Sequence, residues 1–118
     1  MSKIVAFDFD GVIHSYTSGW KGYTVIPDPP VKGIKEVLKG LYGKGASIHV
    51  FSSRAGTDDG REAIRQYLIK YDLIRYVDVI TCEKPSAFVT IDDRCICFDG
   101  NTEGLVEKIE NFKTYMEV

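Results

Sequence analysis

Residues 4–11 read IVAFDFDG, and this stretch decides the fold of the chain. The unbroken apolar run from Ile4 to Phe7 predicts a strand buried on both faces, as in a parallel sheet. Because successive side chains of a strand point to opposite faces, Asp8 and Asp10 start on the same side. Gly11 then permits a sharp turn. The carboxylate pair indicates either ordinary turn chemistry at a strand end or a site for a divalent cation such as Mg²⁺.

The bulk composition predicts a single soluble domain. The chain has 118 residues, 44% hydrophobic and 27% charged, with a formal net charge of -2, so no general attraction to nucleic acid or anionic membrane is expected. No signal peptide or membrane-spanning run is visible, which favours a cytoplasmic protein. The three cysteines (Cys82, Cys95 and Cys97) are an odd number, and no second ligand pair suggests zinc; we expect reduced thiols.

The segment after the first strand, residues 12–30, is called the flap. It contains Gly, Ser and aromatic residues without a helical period, and it predicts a short hairpin turning near residues 19–22, beside the Asp pair. Its aromatic and imidazole side chains either contact the substrate or anchor the flap to the body, and the sequence leaves both interpretations open. These side chains are His14, Tyr16, Trp20 and Tyr23.

The rest of the chain alternates helical and strand patterns. Helices are expected from Pro29 or Pro30 to Gly43 or Gly45, after a cap at Thr57, Asp58 or Asp59, and after a cap at Asn101 or Thr102. Further strands are expected at residues 47–51, 77–80, 87–91 and 95–98. The order β-α-β-α-β-β-β-α predicts one α/β domain over residues 1–118, with a Rossmann-like, mostly parallel sheet.

Polar residues follow the ends of three of these strands. Asp8 and Asp10 follow the first, Ser52-Ser53-Arg54 follows the second, and Asp92-Asp93 follows the fourth. Hydroxyls and an arginine at a strand-to-helix turn indicate either a phosphate site or a simple serine turn with a solvated arginine. Because ligands bind at the carboxyl ends of parallel strands, we expect all these residues to converge.

Four segments resemble the ordered motifs of the haloacid dehalogenase (HAD) superfamily. They are DFDGV at residues 8–12, VFSSR at 50–54, Lys84-Pro85, and IDDR at 91–94, and the resemblance covers residues 4 to about 99. The second and fourth look most like the phosphatase domains of polynucleotide kinase-phosphatases and small phage-type or bacterial hydrolases. The resemblance implies a Mg²⁺-dependent phosphatase that forms an aspartyl-phosphate.

The resemblance also implies a role for each matching residue. Asp8 would be the nucleophile, Asp10 the general acid and then base, and Lys84 the cation that neutralises the phosphoryl group. Phosphate binding would fall to Ser52, Ser53 and Arg54, and Mg²⁺ binding to Asp8, Asp10 through its carbonyl, Asp92 and Asp93. Because a general acid must hold a proton at neutral pH, the pKa of Asp10 is expected to be raised by burial and nearby carboxylates.

Two spacings limit this interpretation. Seven residues separate Lys84 from Asp92, fewer than a helical crossover needs, so either the path is extended or the third strand is misplaced; Arg54 is then the alternative cation. Residues 12–30 and 81–83 leave no room for a cap domain, which predicts an open site for a small phosphate or a nucleic-acid end. The competing hypotheses are a receiver-type signalling domain and a catalytically quiet module that binds phosphate or a partner.

Overall fold

The computed structural model describes residues 1–117 and shows an α/β fold on one four-stranded parallel sheet. The strands are β1 (Ile4–Asp8), β2 (Ser47–Phe51), β3 (Val79–Thr81) and β4 (Val89–Ile91), in the spatial order β3-β2-β1-β4. The predicted α/β class with a parallel sheet is confirmed. The chain moves outward from β1 to β3 and then returns to the other side of β1. This reversal creates a crevice between β1 and β4, where α/β sheets bind ligands.

Three helices accompany the sheet, namely α1 (Ile34–Gly43), α2 (Asp58–Lys70) and α3 (Leu105–Glu110). The cap expected for α2 is present, because the Thr57 hydroxyl accepts a hydrogen bond from the Gly60 N–H at 3.0 Å. Helix α1 ends at Gly43 as predicted but begins only at Ile34, since a turn precedes it. Helix α3 follows Gly104 rather than a side-chain cap, so the expected cap at Asn101 or Thr102 is wrong.

The hydrophobic core lies on one face of the sheet. Register pairs Val5 with Ile48 and Phe7 with Val50, so these four side chains share that face. They are buried together with residues of α1 and α2, including Leu38, Ile64 and Leu68. Burial of this face fixes β1 in the middle of the sheet and therefore fixes the position of Asp8 at its carboxyl end. None of the helices within residues 1–117 has the length and apolarity needed to cross a bilayer.

Two expected β elements are absent from the described residues. The flap forms no hairpin and has only isolated bridges, from Asp10 to His14 and from His14 to Pro30. The strand expected at residues 95–98 is also wrong, since this segment joins no ladder and Phe98 is 59% exposed. Cys95 and Ile96 instead line a shallow pocket with Leu105 and Ile109 of α3.

The crossover from β3 to β4 is the unusual connection of this fold. Residues 82–88 make it without a helix. It passes β2 and β1, a lateral distance of about 14 Å for strands about 4.8 Å apart, which seven extended residues can span. The extended path anticipated from the spacing is therefore the observed one, and β3 lies close to its expected position.

Candidate active site

Three carboxylates converge at the carboxyl ends of β1 and β4. Asp8, Asp92 and Asp93 each offer one oxygen, and these oxygens lie within 4.8 Å of one another. Register places Phe7 opposite Ile91, so the residues that follow them meet at the sheet edge. Hard divalent cations such as Mg²⁺ prefer this kind of all-oxygen ligand set. The structure thus brings together three of the predicted metal ligands, while the carboxylate of Asp10 is engaged elsewhere.

The electrostatics of this cluster favour a cation. Burial raises the pKa of Asp8 to about 8, with further contributions from Asp92, Asp93 and Asp10. Negative charges in one partly buried place disfavour ionisation of each carboxyl group. A bound divalent cation would remove this penalty by taking the place of the proton.

Asp93 is held directly against the turn that follows β1. A Cβ atom added at Gly11 would lie 2.3 Å from the Asp93 Oδ2 atom, and Gly11 has a φ of +91°. The Asp93 Oδ1 atom is buried and finds no hydrogen-bond partner among residues 1–117. A buried carboxylate oxygen without a partner is costly, and a cation at the cluster would satisfy it. The residues present therefore fit a Mg²⁺ ion.

Asp10 lies beside the cluster but is already paired. Its Oδ1 atom lies 2.8 Å from Nδ1 of His14, and its Oδ2 atom accepts a hydrogen bond from Nε of Arg54 at 2.9 Å. Burial alone would raise the pKa of Asp10, but the hydrogen bonds from His14 and Arg54 and the charge of Arg54 lower it below its usual value. The raised pKa expected for Asp10 is therefore wrong.

His14 anchors the flap rather than facing a ligand. It is fully buried, and its Nε2 atom accepts the backbone N–H of Asp28 at 3.1 Å. Since Nε2 acts as an acceptor, Nδ1 carries the ring proton and donates it to Asp10. The carboxylate of Asp28 is held in turn by the N–H and the hydroxyl of Ser18. The sequence left anchoring and substrate contact open, and for His14 the structure shows anchoring.

Arg54 is the second anchor of the flap. Its side chain is fully buried, and Nη1 lies within hydrogen-bond distance of three flap carbonyl oxygens. These belong to Gly22 at 2.6 Å, Tyr23 at 3.1 Å and Val25 at 3.2 Å. Arg54 does not line the cleft and uses Nε and Nη1 for Asp10 and the flap, while its buried Nη2 atom has no hydrogen-bond partner within residues 1–117. The phosphate-binding and alternative cationic roles expected for it therefore stay predictions.

A cleft of about 610 Å³ opens in front of the carboxylates. The flap contributes Tyr16 and Trp20 to its wall, so these two of the four predicted contact residues reach it. The predicted site residues that line it are Asp8, Asp10, Ser52, Ser53 and Asp93. Lys84 does not line the cleft; it is exposed and forms no ion pair within the described residues.

Ser52 presents a hydroxyl to the cleft from the end of β2. Its side chain is 6% exposed, and its Oγ atom accepts the backbone N–H of Arg54 at 3.2 Å. The hydroxyl proton therefore stays available to donate to a ligand oxygen. Ser53 is exposed at the same rim and adds a second hydroxyl.

The C-terminal segment completes the cleft, which the sequence did not indicate. Thr114, Met116 and Glu117 line it together with Arg94. The Tyr115 hydroxyl donates a hydrogen bond to the carbonyl oxygen of Gly11 at 2.7 Å. The Nη2 atom of Arg94 lies 3.7 Å from the Oε1 atom of Glu117. Arg94 is the cationic side chain that the described part of the chain places on the cleft wall. It is the last residue of the IDDR segment at residues 91–94, and this position was the only signal for it in the sequence.

No protein-family model, curated protein or solved structure matches the chain. A cluster of carboxylates, together with the hydroxyls of Ser52 and Ser53 and the guanidinium of Arg94, surrounds an open space. This arrangement suits a ligand that brings negative charge together with a divalent cation.

Proposed function

We propose that this protein is a Mg²⁺-dependent phosphatase of the HAD type that hydrolyses phosphomonoesters through Asp8. The observation that carries the proposal is the convergence of Asp8, Asp92 and Asp93 at the crevice between β1 and β4. The hydroxyl of Ser52 lines the same cleft and is placed to donate to a phosphoryl oxygen. A carboxylate nucleophile divides a difficult hydrolysis into two easier steps.

Each step follows from groups that line the cleft. An Asp8 carboxylate oxygen attacks phosphorus, the bond from phosphorus to the ester oxygen breaks, and the ester oxygen takes a proton from Asp10 and leaves as the alcohol. Water then attacks phosphorus and gives a proton to Asp10, and the bond to Asp8 breaks, which returns the carboxylate and free phosphate. Asp8, Asp92 and Asp93 would hold Mg²⁺, which when bound supplies charge neutralisation to the phosphoryl oxygens.

Asp10 is placed to move protons in this cycle. In the free protein its lowered pKa keeps it ionised, so it suits the acceptance of a proton from the attacking water. A phosphate group entering beside it would raise its pKa through like-charge repulsion. The role as acid to the leaving group therefore depends on the bound substrate, rather than on a proton stored in the free protein.

The first test is hydrolysis of para-nitrophenyl phosphate by the wild type and by Asp8→Asn. We expect turnover that requires Mg²⁺, stops with EDTA, and falls by a factor of about a thousand or more in Asp8→Asn. The matched control is Asp58→Asn, since Asp58 on α2 is 96% exposed and does not line the cleft. Full turnover in Asp8→Asn would contradict the nucleophile assignment.

Arg94 and Lys84 make a second, paired test. Because Arg94 lines the cleft and Lys84 does not, Arg94→Ala should lower kcat/KM by about tenfold to a hundredfold, whereas Lys84→Ala should change it by less than about threefold. A larger loss in Lys84→Ala would restore the cationic role that the HAD resemblance implies for it.

A catalytically quiet module that binds phosphate is the second candidate. The observation in its favour is the exposed position of Lys84, away from the carboxylates. Such a module would bind Mg²⁺ and inorganic phosphate without turnover. Titration of the protein with phosphate, alongside the hydrolysis assay, distinguishes the two functions.

A further inference from the structure

Trp20 packs against two neighbouring side chains at the cleft, while much of its own side chain stays exposed. It lines the same cleft as Asp8 and is 45% exposed. The guanidinium of Arg54 lies over the indole at 4.5 Å, and Tyr23 packs edge-on against it with a centroid distance of 5.0 Å. Arg54 is itself immobilised by three flap carbonyls. An exposed aromatic ring that is fixed in this way loses little entropy when a planar ligand stacks on it.

We propose that Trp20 forms a subsite for a planar aromatic ring, and that the substrate is a nucleoside monophosphate. This inference rests on the phosphatase function proposed above, since it assigns the group that the phosphate is attached to. The phosphate occupies the end of the cleft near Asp8 and Ser52, and the base stacks on Trp20 across the same space. The volume of about 610 Å³ lies within the range usual for small-molecule sites.

The charge of the cleft favours a free nucleotide over the end of a polynucleotide. Its wall carries the acids Asp8, Asp10, Asp93 and Glu117 and the single cation Arg94. A polynucleotide would bring further phosphates, and proteins that bind it supply a basic track along the backbone. The flap contributes only Lys21 beside Trp20, and the net charge of the chain is -2. A ligand with a single phosphate avoids the repulsion between these acids and the further phosphates of a polynucleotide.

The chain offers a built-in probe for the test, because Trp20 is its only tryptophan. We would titrate Asp8→Asn in Mg²⁺ with adenosine 5′-monophosphate, ribose 5-phosphate and a short single-stranded oligonucleotide that ends in a phosphate, and follow indole fluorescence. We expect saturable quenching by the nucleotide and binding at least about tenfold weaker for the other two. Equal or tighter binding of ribose 5-phosphate would overturn the ring subsite. Tighter binding of the oligonucleotide would overturn the choice of a free nucleotide.

Variants of Trp20 give an independent readout in the active enzyme. In Trp20→Leu the preference in kcat/KM for adenosine 5′-monophosphate over ribose 5-phosphate should fall by about tenfold, and Trp20→Phe should restore part of it. The control is Tyr42→Leu, an aromatic residue on α1 that is 52% exposed and outside the cleft. An unchanged preference in Trp20→Leu would overturn the subsite.

The two readouts separate the subsite from the phosphatase function. Fluorescence reports binding without turnover. If the nucleotide quenches the indole fluorescence but the wild-type protein hydrolyses no phosphomonoester, the subsite is supported and the phosphatase function is refuted. If the wild type hydrolyses ribose 5-phosphate and adenosine 5′-monophosphate with equal kcat/KM, the phosphatase function is supported and the ring subsite is refuted.

Discussion

Gly11 meets two demands that no other residue can meet together. Its φ of +91° favours glycine, and the Asp93 carboxyl occupies the space that a Cβ atom would need. We predict that Gly11→Ala displaces Asp93 from the carboxylate cluster. The variant should lose Mg²⁺-dependent hydrolysis, together with the rise in melting temperature that Mg²⁺ produces in the wild type. The assay and a thermal melt with and without Mg²⁺ measure both effects.

Gly33→Ala is the matched control for this change. Gly33 has a similar φ of +86°, but nothing lies within 4 Å of the added methyl group. Both variants should carry a backbone cost of about 1–2 kcal/mol, and only Gly11→Ala should lose the response to Mg²⁺. An equal loss in the two variants would show that backbone strain, rather than contact with Asp93, is responsible.

At the residue scale, the sequence predicts the positions of the strand-end residues of the site better than the contacts of the side chains around them. Asp8, Asp92 and Ser52 are placed correctly by a simple rule, because each stands at the end of a strand and parallel strands end at one edge. The rule does not extend to Arg54, because a guanidinium suits carbonyl oxygens as well as phosphate. Which of them it meets depends on where the flap lies, and only the tertiary structure determines this.

At the scale of elements, Arg54 and His14 join the flap to β2 and to the turn after β1. Arg54→Met should destabilise the protein by about 3–5 kcal/mol, because it leaves a partly buried Asp10 carboxylate and three flap carbonyls without their donor. Urea denaturation measures the loss. The exposed pair of Arg75 and Asp72 provides the control, and Arg75→Met should cost less than about 1 kcal/mol.

A milder variant tests the same contacts if Arg54→Met does not fold. Arg54→Lys keeps the charge but loses the planar fork that reaches several carbonyls at once. Its flap should become sensitive to protease, and Trp20 fluorescence should shift to longer wavelength as the ring loses its packing. A protease pattern identical to that of the wild type would argue against Arg54 as the anchor of the flap.

For some elements the local sequence pattern is sufficient to predict where the element lies. Strand β2 matches its expected bounds, and α2 starts at its expected cap, because local burial patterns and capping chemistry specify them. The flap hairpin and the strand at residues 95–98 fail because a strand needs a partner as well as a pattern. The flap instead makes polar contacts with two side chains of the body, because His14 bonds to Asp10 and Arg54 donates to flap carbonyl oxygens.

At the scale of the whole molecule, the cluster links stability to pH. In the absence of metal the pKa of Asp8 is about 8 in the folded chain, against an ordinary value near 3.9 when unfolded. The folded state therefore holds a proton that the unfolded state releases between these values. The stability from this group is complete below about pH 4, declines as the pH rises, and is lost above about pH 8.

This linkage predicts an interaction between pH and Mg²⁺. The cation competes with the proton for the same oxygens, so Mg²⁺ should raise the melting temperature more at about pH 8 than at about pH 5. Carboxyl groups with a lowered pKa, such as Asp72, titrate below this pH range. They therefore do not contribute to the difference in the Mg²⁺ effect between about pH 5 and about pH 8. Asp8→Asn should flatten the difference, and an equal Mg²⁺ shift at both pH values would contradict the account.

The position of β4 has a consequence for the behaviour of the protein in concentrated solution. As the outermost strand it leaves one row of backbone groups unpaired, and Val89 and Ile91 are 44% and 40% exposed. Such an edge invites another chain to add a strand and seed aggregation. Its length of three residues and the charges of Asp92 and Asp93 immediately after it oppose this. The acids proposed to hold the metal therefore also oppose the addition of a strand from another chain at this edge.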